Sequence, residues 1–215
     1  MATLSSNAHA YSDDDDDLPT LKITCTTSDC ERNLHCFKET TKMAVEDRGL
    51  CRYCGADLVN WDRVRRQDVL DVEHTIKALK REYIRHHFWH KIPPQSAINH
   101  ALRKGREGMR EATDQRIRSS VGRPRAELFR DGTQTTMDDD KANLIHFAQH
   151  ATASCCRACI EEWHGIPPDR ALNDAEIAYL AELVMCYIDE KLPDLQEQGI
   201  KVPPVRRIKM GDGSG

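Results

Sequence analysis

Eight of the nine cysteines fall into two clusters far apart in the chain: Cys25, Cys30, Cys36, Cys51 and Cys54 near the start, and Cys155, Cys156 and Cys159 well downstream. Thiolates are good ligands for Zn²⁺, and two short Cys spacings brought together by folding supply a tetrahedral site without a large core. The strongest local signal is Cys51-Arg-Tyr-Cys54-Gly, a spacing that suits a knuckle whose backbone amides turn toward the sulfurs and offset their charge. Upstream, Cys25 with Cys30 lies closest to ribbon-type spacing, so Cys25, Cys30, Cys51 and Cys54 are the expected ligands of one structural zinc. Cys36, paired with Cys30, competes for these places, and the adjacent His35 can coordinate as well.

The rest of the chain is read around that module. Residues 1–20 are small, polar and acidic, with Asp13 to Asp17 in one run, and are expected to be disordered. Residues 21–61 carry the turn formers Asp29, Asn33, Gly49 and Gly55 and few apolar positions, so this segment needs metal to fold. Residues 62–196 read as a helical domain, and 197–215, with Pro203, Pro204 and a Gly-rich end, as a flexible tail. Val69, Val72, Ile76, Leu79, Tyr83, Ile84 and Phe88 recur at helical spacing and predict one helix from about Asp62 to Trp89, ended by Pro93 and Pro94. A second helix starts after Ser96, with Gly105 and Gly108 as weak points; 121–141 reads as loop. A third stretch, about Asn143 to His164, is open to interruption at Ala151–Ser154. The last helix has Asn173 as cap and Glu176 three residues on. The expected fold is mainly α: a helical domain with a small Cys-rich, zinc-ribbon-like N-terminal module.

No apolar run approaches the ~20 residues of a membrane span, and no membrane role is expected. The N-terminus lacks the basic and apolar regions of a secretory signal, which points to the cytoplasm and to reduced thiols available for metal. A net charge of −4 conceals an asymmetry: between Asp62 and Arg130 there are 17 Lys and Arg against 9 Asp and Glu. Such a segment can attract phosphate backbones. It also matches helices that solvate a face with interleaved charges.

The second cluster reads His150-Ala-Thr-Ala-Ser-Cys155-Cys156-Arg-Ala-Cys159-Ile-Glu-Glu-Trp163-His164. On a helix Cys156 and Cys159 share a face, and so do Cys155 and Cys159. His150, Cys156, Cys159 and His164 are therefore candidate ligands of a second zinc, with His90 as a further donor. Alternatively, a thiolate beside Arg157 at a helix start is a nucleophile with His150 or His164 as base. His86 and His87 complete a dense His and aromatic patch around Trp89, in which His87 reads as a hydrogen-bonded core neighbour.

Residues Asp131-Gly-Thr-Gln134-Thr135, Ala148-Gln149-His150-Ala-Thr-Ala-Ser-Cys155-Cys156-Arg157-Ala-Cys159, Trp163-His164-Gly-Ile166-Pro167, then Leu172, Glu176, Tyr179 and Met185 together resemble the signature of a bacterial family known only as domain of unknown function 4186. The likeness extends back to Arg85-His-His-Phe88-Trp-His90, over roughly residues 80–192, and departs from the family at His86 and His87. It implies that the N-terminal Cys module is an addition and that the second cluster is the functional centre, and it supplies no mechanism.

Three kinds of function follow, the plainest being a structural or assembly component with no ligand beyond zinc. Another is a zinc-binding recognition module whose partner is nucleic acid or another protein. The third is a metal- or Cys-dependent hydrolase or nuclease centred on His150, Cys156 and Cys159. A His-Asn-His nuclease, with His74 and Asn143, fits poorly because His74 lies within a helical pattern and Asn143 is too distant for one motif.

Overall fold

Apolar residues at helical spacing build most of this chain. The computed structural model describes residues 23–138 and 141–202, and has seven α-helices and no strand among them. They are α1 (Trp61–Val64), α2 (Val72–Leu79), α3 (Tyr83–His90), α4 (Gln95–Ser120), α5 (Leu144–Ala151), α6 (Arg157–His164) and α7 (Asp174–Lys191). The acidic stretch 1–20 lies outside the described residues, as do positions 203–215 of the expected tail.

Helix α7 is the axis. Ile177, Leu180, Leu183, Val184, Tyr187 and Ile188 are buried, and the helix packs on α2, α4 and α5. Its start is the capping box expected from sequence: the Asn173 side chain accepts from Glu176 N at 2.9 Å, and the Glu176 carboxylate accepts from Asn173 N at 2.8 Å. Helix α5 lies between α3 and α7, and Asn143 caps it by accepting from the backbone of Ile145 and His146.

The expected continuous helix from Asp62 to Trp89 is instead three. Its apolar stripe is real, but the peptide groups at Arg81 and Tyr83 are taken by the N-terminal segment: His35 N donates to Arg81 O at 2.7 Å and Tyr83 N to His35 O at 2.9 Å. Between them the Glu82 carboxylate is buried and accepts from Arg85 Nε at 2.9 Å and Trp163 Nε1 at 2.8 Å. These contacts separate the end of α2 from the start of α3.

Helix α4 keeps its expected extent but breaks at Gly105, whose φ of 67° is left-handed. Residues 196–200 repair the break, with Arg106 N donating to Gln196 O at 2.8 Å and Ile200 N to Leu102 O at 2.9 Å. The first residues of the expected tail are thus hydrogen-bonded to α4.

The N-terminal module contains two 3-10 turns, Cys30–Arg32 and Val45–Asp47, and only isolated bridges. It is fastened by side chains. Phe37 packs edge-on to Trp61 and Trp163, with ring centroids 5.8 and 5.9 Å away, and Glu162 accepts from Lys38 Nζ and Glu39 N at 2.9 Å each. Phe37, Val64, Leu79 and Trp163 bury together with Cys51, Cys155, Cys156 and Cys159, so both cysteine clusters border one apolar core.

Gly105→Ala places a Cβ into the Glu197–Gln198 main chain at a positive φ. It is expected to lower unfolding free energy by about 1–3 kcal/mol, seen as a lower urea midpoint with unchanged slope. An unchanged midpoint would refute this account of the kink.

Candidate metal centres

The turn Cys30–Arg32 is capped by Asp29 and reversed at Asn33, which has φ 60°. That reversal brings His35 back over Cys30. The Cys51–Cys54 knuckle closes on itself, with Gly55 N donating to Cys51 O at 2.8 Å and Gly55 at φ 70°. As a result one ligand atom from each of Cys30, His35, Cys51 and Cys54 lies within 4.8 Å of the others. Cys30 Sγ and Cys51 Sγ are 3.7 Å apart, and Cys54 Sγ is 3.4 Å from His35 Nδ1. His35 Nε2 donates to Asn33 Oδ1 at 3.0 Å, which leaves Nδ1 unprotonated and aimed at the sulfurs. Burial raises the Cys51 thiol, but backbone N–H donors around the knuckle outweigh it and lower the group to about 6. Burial and the hydrogen bonds to Cys51 and Cys54 push Cys30 up to about 12.

Cys155, Cys156 and Cys159 form the second group, again with sulfurs within 4.8 Å of one another, and all three residues are buried. Cys155 and Cys156 end the turn that precedes α6, and Cys159 lies in its first turn. Asp131 fixes this start by accepting from Arg157 N at 2.8 Å and Ala158 N at 3.0 Å. Cys156 Sγ caps the helix, accepting from Cys159 N at 3.4 Å. The buried Arg85 guanidinium donates to Cys159 Sγ at 3.2 Å and to the His150 carbonyl at 2.8 Å. Hydrogen bonds from Cys155, Cys156 and Cys25, with Arg85 behind them, hold the Cys159 thiol well below its usual range against the opposing effect of burial.

Of the expected ligands, the structure brings together Cys30, Cys51 and Cys54, and separately Cys156 and Cys159. Cys25 is not with Cys30; its thiol is hydrogen-bonded to Cys159, and His35 stands in the fourth place of the first group. Cys36 belongs to neither group, and its thiol donates to Cys25 O at 3.5 Å. His150 and His164 are also outside the second group. His150 stacks on Phe88 with Nε2 donating to Thr136 O at 3.3 Å. His164 is fully buried, with Nε2 donating to Thr152 O at 2.9 Å and Nδ1 facing the Tyr179 hydroxyl. His90 stacks on His86, and Nδ1 donates to the His86 carbonyl at 2.9 Å. Asn143 is occupied as a helix cap. The residues that sequence reasoning missed are Arg85 and Glu82. Their signals were charge within an otherwise apolar stripe and, for Arg85, its place in the family likeness.

The fold and these groups define a helical protein with two Cys/His clusters able to hold metal. A family model described as Domain of unknown function (DUF4186) matches residues 73–189, more than half of the chain, and the chain belongs to that family. The second cluster lies inside the match and the first outside it. No solved structure matches the chain.

Burial holds His146, His150 and His164 at about 4 each, against 6.5 for a solvated imidazole. Between these values the unfolded chain binds protons that the folded chain does not, so stability declines as pH falls from 6.5 toward 4. His164→Gln should lose about 1–3 kcal/mol less than the parent chain across that window in urea titrations. An equal or steeper decline in the variant would contradict this assignment.

Proposed function

We propose that this chain is a zinc-organised binding module, with Cys30, His35, Cys51 and Cys54 as ligands of a structural Zn²⁺. The observation that carries the reading is metric. A tetrahedral zinc with Zn–S about 2.3 Å and Zn–N about 2.05 Å spaces two sulfurs about 3.8 Å apart and a sulfur and nitrogen about 3.5 Å apart. The corresponding separations are 3.7 Å for Cys30–Cys51 and 3.4 Å for Cys54–His35. Four protein ligands close such a shell, as a structural rather than catalytic zinc requires. Nine free thiols suit a reducing compartment, which supports a cytoplasmic location.

The arrangement weighs against a hydrolase. A nucleophilic thiolate must be reached by its substrate, and Cys155, Cys156 and Cys159 are all buried, while Nε2 of His150 and of His164 are turned to the carbonyls of Thr136 and Thr152. Among partners, the geometry favours another protein over nucleic acid. Much of the basic excess between 62 and 130 is neutralised in place, with Arg63 on Asp71, Arg106 on Asp189, Arg110 on Glu182 and Arg118 on Asp114 and Asp174. An open cleft of about 1030 Å³ beside α6 has mixed charge, with Lys38, Arg48, Arg65 and Arg125 facing Glu161 and Asp169.

Protein purified under reducing conditions should carry zinc, and Cys51→Ser should lower its content by about one equivalent while exposing residues 23–61 to protease. Unchanged zinc content would overturn the reading. A gel-shift series should show at most weak binding that vanishes at physiological salt. A tight complex persisting there would restore nucleic acid as the partner.

A further inference from the structure

The second cluster has three sulfurs, one short of a closed tetrahedron. The fourth is supplied from the opposite end of the chain. Cys25 lies in a turn closed by Thr27 N donating to Thr24 O at 3.1 Å. The turn is anchored twice: the Cys36 thiol donates to Cys25 O at 3.5 Å, and the Tyr53 hydroxyl to Thr26 O at 2.9 Å. So held, the Cys25 thiol is hydrogen-bonded to Cys159, which also contacts Cys155 and Cys156.

We propose that Cys25, Cys155, Cys156 and Cys159 form a second, all-thiolate site for a single Zn²⁺, and that Arg85 is its positioning residue. The sulfurs of Cys155, Cys156 and Cys159 lie within 4.8 Å of one another, with the Cys25 thiol reaching the group through Cys159, which leaves room for one ion and none for a multinuclear cluster. Four thiolates around a divalent cation carry a net charge of −2, which is costly away from water unless donors face it. Those donors are present. Arg85 Nη2 lies 3.2 Å from Cys159 Sγ, Arg85 Nη1 4.0 Å from Cys155 Sγ, and Cys159 N 3.4 Å from Cys156 Sγ. The start of α6 adds the positive end of its dipole. Glu82 takes Arg85 Nε and the His150 carbonyl takes Nη1, so the guanidinium plane is fixed before any metal arrives. The family match begins after Cys25, so this site joins the matched domain to the module outside it.

The proposal uses the zinc reading above only for the choice of metal, and its test addresses a different group of thiols. The full chain, titrated with Zn²⁺ against a chromophoric chelator under reducing conditions, should take up two equivalents. Cys25→Ser should keep one tight equivalent and weaken the other at least roughly 100-fold, whereas Cys51→Ser should affect the other site. Arg85→Gln should weaken the second equivalent by about 10- to 100-fold. Because variants of buried groups can misfold, the unaltered chain supplies a second readout. In the zinc-loaded protein Cys25 should resist alkylation despite its exposed position, and become reactive together with Cys155, Cys156 and Cys159 once zinc is stripped. Retention of two equal equivalents in Cys25→Ser, or equal alkylation of Cys25 with and without zinc, would overturn the proposal.

Discussion

A guanidinium with no access to water organises this molecule. Arg85 is buried, and a buried charge persists only where its donors are matched. Its partners come from three places at once: Glu82 at the start of its own helix, the carbonyl of His150 near the end of α5, and the thiols of Cys155 and Cys159 at the start of α6. Glu82 in turn takes the indole of Trp163. Removing one member leaves an uncompensated buried charge, typically worth 3–5 kcal/mol. That network ties the junction of α2 and α3 to α6.

The legible parts of the fold are those written in local chemistry. Asn173 and Glu176 announce the start of α7, and Gly105 marks the weak point of α4, because caps and left-handed turns depend on neighbours a few residues away. The Cys51–Cys54 knuckle belongs to the same kind. What spacing could not show was the sorting of upstream ligands. Cys25 and Cys30 look like a pair along the chain, yet Asn33 reverses the backbone so that His35, not Cys25, meets Cys30. The histidines of the second cluster misled for a related reason. His150 and His164 flank the cysteines in sequence, but one ends α5 and the other α6, where each finds a backbone carbonyl instead. The helix expected from Asp62 to Trp89 failed at Arg81–Tyr83 because the partner that interrupts it, His35, is remote in sequence.

The module outside the family match is not a bead on a string. Phe37 sits against Trp61 and Trp163, and Glu162 binds both Lys38 and the backbone of Glu39. Such contacts couple the N-terminal cysteines to the helical core through dispersion and desolvated charge. The surface that the protein presents around α6 is therefore composite, with Lys38 and Arg48 from one part of the chain and Arg125 and Glu161 from the other.

The contact of Phe37 with Trp163 also has a temporal side. A ribosome releases the chain from its N-terminus at about 5–20 residues per second. Cys30, His35, Cys51 and Cys54 emerge close together and Trp61 soon after, but Trp163 and Glu162 follow far later, so for several seconds or more Phe37 has Trp61 on one side and nothing on the other. The module's early stabilisation is limited to contacts within the segment, such as Phe37 on Trp61. The order of synthesis thus demands of the short N-terminal segment a self-sufficiency that the finished structure, with its shared core, no longer needs.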